Sequence, residues 1–193
     1  MEILVDMDGI LVDTLPRWLD RINELTGVRA WPEDIVDWNM HKNYPLTVLD
    51  PKTIFDILNE PGFTLSLPEM SGAARNLKKL HEDGHDISLL TARYGTQCMP
   101  ETLVWLQKVM PWFDIERKTW FCHEKTRITG DVLIDDKTET LINYRRKRPS
   151  TKLIAIDYPY NQAAEVDFRV PKSIHSWDRI REYIEALQLA QRP

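Results

Sequence analysis

Two short acidic stretches stand out for where they fall in the chain. Asp6-Met7-Asp8-Gly9 follows directly on the apolar run Ile3-Leu4-Val5, and Asp135-Asp136 follows Val132-Leu133-Ile134. If each run is a strand of a parallel sheet, its acids project beyond the carboxyl end, where open α/β sheets bind their ligands. Carboxylates gathered there repel one another. They stay ionised together only with a cation or hydrogen-bond donors among them, and an all-oxygen donor set of this kind suits Mg²⁺. Gly9 lets the backbone approach a bound group and frees its N–H for an anion. Thr91 ends another run, Ile87-Ser88-Leu89-Leu90, where its hydroxyl and the following N–H groups could hold phosphate oxygens. Lys125 precedes Asp135 by ten residues, and its mobile ammonium could reach back to balance the acids. Each residue alone has a plainer reading: a solvated turn, a helix cap, a surface lysine. The weight lies in their ordered combination. Asp131 precedes its strand, belongs at the far end and is excluded from the site.

The elements that must position these residues are legible as a rhythm. Apolar runs at 3–5, 87–90, 132–134 and 153–156 suit strands buried on both faces. Amphipathic stretches lie between them, such as Leu77 and Leu80 closed by Gly84, and Leu103, Leu106 and Val109 closed by Pro111. The alternation predicts an α/β fold with a doubly wound, mostly parallel sheet. Residues 14–69 contain no convincing strand and are expected to form a helical cap inserted after the first strand, leaving 1–13 and 70–193 as the core. The first cap helix places Leu15, Trp18, Leu19, Ile22 and Leu25 on one face and ends at Gly27. Another follows Pro51, with Ile54, Phe55 and Leu58 on one side. The stretch from 60 to 72 then returns the chain to the core.

Composition bounds the partners. The chain has 193 residues, with 25 Lys and Arg against 30 Asp and Glu and a net charge of −5. That suits one domain with an insertion and argues against holding long nucleic acid on a basic surface. Arg145-Arg146-Lys147-Arg148 reads as a solvated helix end. No apolar run approaches the roughly 20 residues of a membrane span. The acid-broken N-terminus is not a signal or transit peptide, so the cytoplasm is expected. Cys98 and Cys122 form neither a disulfide framework nor a metal-binding spacing, and His41, His81, His85 and His175 show none either. Of the seven tryptophans, Trp18, Trp105, Trp112, Trp120 and Trp177 are expected to pack, Trp31 is undecided, and Trp38 lies in the cap among polar neighbours.

DxDG, then a strand-ending Thr, a Lys and a strand-ending Asp pair resemble, in order and spacing, the four motifs of the haloacid dehalogenase superfamily of phosphotransferases. Within it the chain is most similar to the 5′(3′)-deoxyribonucleotidases. The similarity rests on the DMDGILVD opening, Trp38 in the cap, EPGF, LLTAR, the helix with Trp105, EKTRITGDVLIDD and a closing SWDRI, and runs over essentially the whole chain. Thr14 stands where several relatives place a Phe of the base pocket, and Asp37 replaces what is often an aromatic residue. The base contact is therefore expected to be smaller and more polar.

The resemblance implies a haloacid dehalogenase-like core and an Mg²⁺-dependent phosphatase of deoxynucleoside monophosphates. In it Asp6 would be the nucleophile that forms an aspartyl phosphate, and Asp8 the acid and then the base. Asp6, the Asp8 backbone carbonyl and Asp135 would hold the metal. Thr91, Lys125 and backbone N–H groups near Met7 and Ala92 would bind the phosphoryl oxygens. Asp136 would support the site by orienting Lys125, and Trp38, then Phe63, would touch the nucleoside. His123 is read as a loop-filling residue or a phosphate contact. Two other functions use the same motifs: a polynucleotide 3′-phosphatase, which needs a basic track, and a non-catalytic nucleotide sensor. A homodimer is left open.

Overall fold

Residues 1–190 are described in a computed structural model of the chain. Its centre is a six-stranded sheet in the order β3-β2-β1-β4-β5-β6. The strands are β1 (Glu2–Val5), β2 (Asp86–Thr91), β3 (Thr119–Phe121), β4 (Val132–Ile134), β5 (Lys152–Asp157) and β6 (Phe168–Pro171). Every neighbouring pair is parallel, so the sheet is wholly rather than mostly parallel. The four strands expected from apolar runs are its four central ones. β3 and β6, which lie at the two edges, carry no such run.

Successive side chains alternate between two apolar layers, as strand geometry requires. Ile3, Val5, Leu89, Val132, Ile134 and Ile154 enter one cluster, while Leu4, Leu90, Leu133, Leu153 and Ala155 enter the other. The first is covered by α3 (Ala73–Glu82), α4 (Cys98–Val109) and α7 (Ser176–Ala190), through residues such as Leu77, Leu80, Leu106 and Ile180. The second is covered by α6 (Thr138–Lys147), through Leu141 and Tyr144. A short α5 (Ile115–Lys118) leads into β3. None of the described helices is long and apolar enough to cross a membrane.

Between β1 and α3 the chain holds α1 (Thr14–Thr26), α2 (Pro51–Asp56) and several single 3₁₀ turns, with no strand. α1 ends at Gly27, whose φ of 72° caps it in the left-handed conformation. Leu15, Leu19 and Ile22 are buried as expected, but Leu25 is 49% exposed. It lies two residues past Asn23, the last buried position of α1, which at about 100° per residue turns it to the opposite face. The return is built as expected from 60 to 72: Asp13 N–H donates to Pro68 O and Met70 N–H to Leu11 O, joining both ends of the insertion. Buried residues of the insertion, including Leu19, Ile35, Leu46 and Ile54, belong to the same apolar cluster as Ile3 and Val5.

The tryptophans divide unevenly. Trp105 and Trp177 are buried, with indole N–H groups donating to Leu67 O and Ile10 O. Trp120 was expected to pack yet is 44% exposed, because it lies on an edge strand with only one neighbour.

Candidate active site

β1 and β4 are hydrogen-bonded neighbours with Val5 opposite Ile134. The residues that follow each strand, Asp6 and Asp135, therefore emerge side by side at the carboxyl edge. β2 flanks β1 on the other side and ends at Thr91, which is fully buried and accepts the Arg93 N–H on its hydroxyl at 3.3 Å. After Asp6 the chain turns tightly: Leu11 and Val12 N–H both donate to Met7 O, and Gly9 N–H donates to Val12 O. Gly9 sits at φ 72°, and a Cβ there would lie 2.4 Å from Asp136 Oδ2. Only glycine satisfies both the backbone angle and the approach. Tyr158 OH and Trp177 Nε1 donate to the Gly9 and Ile10 carbonyls, pinning the turn from β5 and α7.

Lys125 lies on a 3₁₀ turn between β3 and β4 that the Tyr144 hydroxyl fastens by donating to Lys125 O at 2.7 Å. Its Nζ lies 2.8 Å from Asp6 Oδ1 and 2.7 Å from Asp135 Oδ2, with all three side chains buried. Asp135 also accepts the Lys137 N–H at 2.8 Å, so it, rather than Asp136, occupies the role of turn-forming acid ahead of α6. Asp136 instead points inward and accepts the Tyr160 hydroxyl. Asp6, Asp135 and Asp136 bring ligand oxygens within 4.8 Å of one another. Burial pushes the Asp6 carboxyl up to about 7; Lys125 opposes this, and Asp135 and Asp8 add to it. Burial, then the charges of Asp6 and Asp135, also pushes Asp136 well above the carboxylate range. Three buried acids with one ammonium are short of positive charge, and an oxygen-only donor set with that deficit fits a hard divalent cation such as Mg²⁺.

Asp8 stands apart from this cluster. Arg93 Nε and Nη2 grip its two oxygens at 2.9 and 2.7 Å, and the Thr14 hydroxyl donates to Oδ1. Burial raises this carboxyl, but the Arg93 and Thr14 contacts outweigh it and hold the group below its ordinary range. Neither Arg93 nor the partnership of Thr14 with Asp8 was read from the sequence. Arg93 lies within LLTAR, two residues past Thr91, and a basic residue just beyond a strand end opposite two acids was the available signal.

Asp6, Asp8 and Asp136 form the floor of a cleft of about 370 Å³ between the carboxyl edge and the insertion, and Asp135 is fully buried beneath it. Asp6, Asp8, Ala92, Lys125 and Asp136 line it from the sheet side, with Trp18, Trp38 and Phe63 among the insertion residues opposite. Trp38 is stacked under Lys137 Nζ, 3.8 Å from the ring centroid. Trp18, expected only to pack, also faces the cleft; Trp31 is 57% exposed and does not line it. His123 lines the cleft beside Tyr94, with ring centroids 5.6 Å apart. The Met7 N–H, expected to be a phosphoryl donor, is engaged with Asp6 Oδ1 at 2.7 Å. Arg145 pairs with Asp167 and Arg148 Nε donates to Thr126 O, so part of the basic run is consumed internally, away from the cleft.

Comparison with known proteins agrees with this geometry. The family model of 5′ nucleotidase, deoxy (pyrimidine), cytosolic type C protein matches residues 1–190. A 5′(3′)-deoxyribonucleotidase of Clostridium acetobutylicum is 29% identical over 188 residues, covering 97% of this chain and 93% of its own. Among solved structures, a haloacid dehalogenase-like protein of unknown function from Agrobacterium tumefaciens superposes with a TM-score of 0.67 at 13% identity, covering 97% of this chain and 98% of its own. A haloacid dehalogenase family hydrolase from Deinococcus radiodurans, solved with bound phosphate and sodium, gives 0.63 at 13% identity, covering 97% and 96%. The fold is thus haloacid dehalogenase-like, and the chain belongs to the deoxy (pyrimidine), cytosolic type C 5′ nucleotidase family of phosphoric monoester hydrolases.

Proposed function

We propose that the protein is an Mg²⁺-dependent phosphatase of deoxynucleoside monophosphates that works through an aspartyl phosphate on Asp6, with residues 14–69 acting as the cap that closes over the nucleoside. The observation that carries this reading is the placement of three buried groups, Asp6, Lys125 and Asp136, on the floor of a cleft whose opposite wall is aromatic, with Asp135 held against Lys125 beneath them. That is an arrangement for an anionic head and a flat, apolar tail.

Asp6, Asp135 and Asp136, with the Asp8 backbone carbonyl, would hold Mg²⁺, which supplies positive charge that favours the ionised nucleophile and offsets its repulsion from phosphate. An Asp6 carboxylate oxygen attacks phosphorus. The bond to the nucleoside oxygen breaks, its electron pair stays on that oxygen, and Asp8 gives it a proton. Asp8 begins ionised beside Arg93; as the phosphate dianion arrives it takes up a proton from solvent, and it returns one to solvent when phosphate leaves. In the second half a water oxygen attacks phosphorus, its proton passes to Asp8, and the bond to Asp6 breaks, releasing phosphate and restoring both acids. Lys125, Thr91 and the Ala92 N–H hold the phosphoryl oxygens, while Trp38 and Phe63 hold the nucleoside. The D. radiodurans hydrolase of the same fold was solved with bound phosphate, which is in keeping with this reading.

The test is a panel of ribo- and deoxynucleoside 5′- and 3′-monophosphates, with and without Mg²⁺, alongside a 3′-phosphorylated oligonucleotide. Phosphate released from deoxynucleoside monophosphates only with Mg²⁺ is the expected result. Preference for the oligonucleotide would replace the reading with a polynucleotide phosphatase. Nucleotide binding without phosphate release would replace it with a sensor.

A further inference from the structure

Arg93 is the buried cation that the motif residues leave unexplained. Its side chain is only 6% exposed, and a guanidinium so placed must be paired at every edge. Two of its nitrogens hold Asp8 in a bidentate grip at 2.9 and 2.7 Å. The third, Nη1, donates to Thr102 Oγ1 at 3.0 Å and to Thr64 Oγ1 at 3.5 Å. Thr102 spends its own proton on Cys98 O, which leaves its lone pairs for Arg93. The guanidinium thus spans three parts of the molecule: the turn after β1, helix α4 and the returning end of the insertion. That returning end is itself held to α4, by Gly62 N–H donating to Glu101 Oε1 and by Trp105 Nε1 donating to Leu67 O.

Resting on the phosphatase reading, we propose that Arg93 is a positioning residue: it fixes the Asp8 carboxylate where it can exchange a proton with the leaving oxygen, and braces that position on α4 and the insertion. A bidentate fork removes rotation about the last carboxylate bond, which a single contact does not. Lysine brings the charge without the fork. In that reading phosphate binding falls to Lys125, Thr91 and the Ala92 N–H, while the Arg93 nitrogens are taken by Asp8, Thr102 and Thr64, so Arg93 acts on the proton and not on the phosphoryl group.

The experiment compares two substrates. A sugar alkoxide needs a proton to leave, whereas p-nitrophenolate leaves without one. In Mg²⁺, kcat/KM is measured for thymidine 5′-monophosphate and for p-nitrophenyl phosphate; it reports the steps up to leaving-group departure, so hydrolysis of the phosphoenzyme, common to both, drops out. Arg93→Met is expected to lower kcat/KM for the nucleotide by about 30-fold or more and for p-nitrophenyl phosphate by less than about 3-fold. Arg93→Lys should recover part of the nucleotide loss. Thr102→Val, which removes one brace, should lower nucleotide turnover by about 3-fold with the same substrate bias. Equal losses on both substrates, or no loss on the nucleotide, overturn the positioning role. If Arg93→Met fails to fold by circular dichroism, Arg93→Lys and Thr102→Val decide by the same bias. A wild-type protein that hydrolyses neither substrate overturns the phosphatase reading and this role with it; a wild type active on both, with unbiased variants, overturns only the role of Arg93.

Discussion

Asp6 and Asp8 lie two residues apart in one turn, yet the molecule treats their charges in opposite ways. Asp6 shares the Lys125 ammonium with Asp135, beside an Asp136 whose carboxylate accepts the Tyr160 hydroxyl. Asp8 has a guanidinium and a threonine hydroxyl to itself. The Asp6 side of the cleft floor is consequently short of positive charge and the Asp8 side is balanced. In the proposed reading the cation goes with the first, and proton exchange by a carboxylate that does not itself bind the cation goes with the second.

The comparison can be broken most decisively at the nucleophile. Asp6→Asn should lower phosphate release from a deoxynucleoside monophosphate by about 10³-fold or more with an unchanged circular dichroism spectrum; near-normal turnover would remove Asp6 from the chemistry. The charge deficit is sharpened by Asp136→Asn, which should raise the Mg²⁺ concentration for half-maximal activity by about 10- to 100-fold. Arg93→Lys should leave that concentration within about 3-fold; a shift as large as that of Asp136→Asn would erase the division between the two sides. Trp38→Ala should raise KM by about 10-fold with little change in kcat, as loss of substrate contact common to ground and transition states does.

The smallest effect concerns stability without metal. The folded state holds a proton on Asp6 up to about pH 7 that the unfolded chain releases near 4. Wild-type stability therefore falls as pH rises through that window. In chelator at pH 7, Asp6→Asn should melt about 2 °C or more above wild type, with the gap closing toward pH 4. A gap that widens on acidification would show that Lys125 fully neutralises Asp6.

What was legible in the sequence follows from burial. The runs at 3–5, 87–90, 132–134 and 153–156 form central strands covered on both faces, where only apolar side chains fit. β3, Thr119-Trp120-Phe121, and β6, with Arg169 and Pro171, lie at edges and face solvent or polar partners, so no apolar run marks them. Asp6 and Asp135 were legible because they follow neighbouring strands, and Lys125 because it precedes Asp135 by ten residues on a long side chain that can reach back. The Asp8 partners were not, since Arg93 is 85 residues away and Thr14 reads as an ordinary first residue of a helix. Long side chains that meet across loops leave no periodicity behind. Tyr160 on Asp136 is hidden for the same reason.

The apolar cluster that runs unbroken from Ile3 and Val5 into Leu19, Ile35 and Leu46 bears on how such a chain can be rebuilt. An insertion with its own closed core could be exchanged for another without disturbing the sheet. Here the buried side chains of residues 14–69 belong to the same cluster as those of the sheet, so excision would expose apolar side chains of the remaining chain to water, and a graft would have to supply a matching apolar face. New substrate preferences are therefore more accessible by replacing single residues along the cleft than by swapping the whole segment.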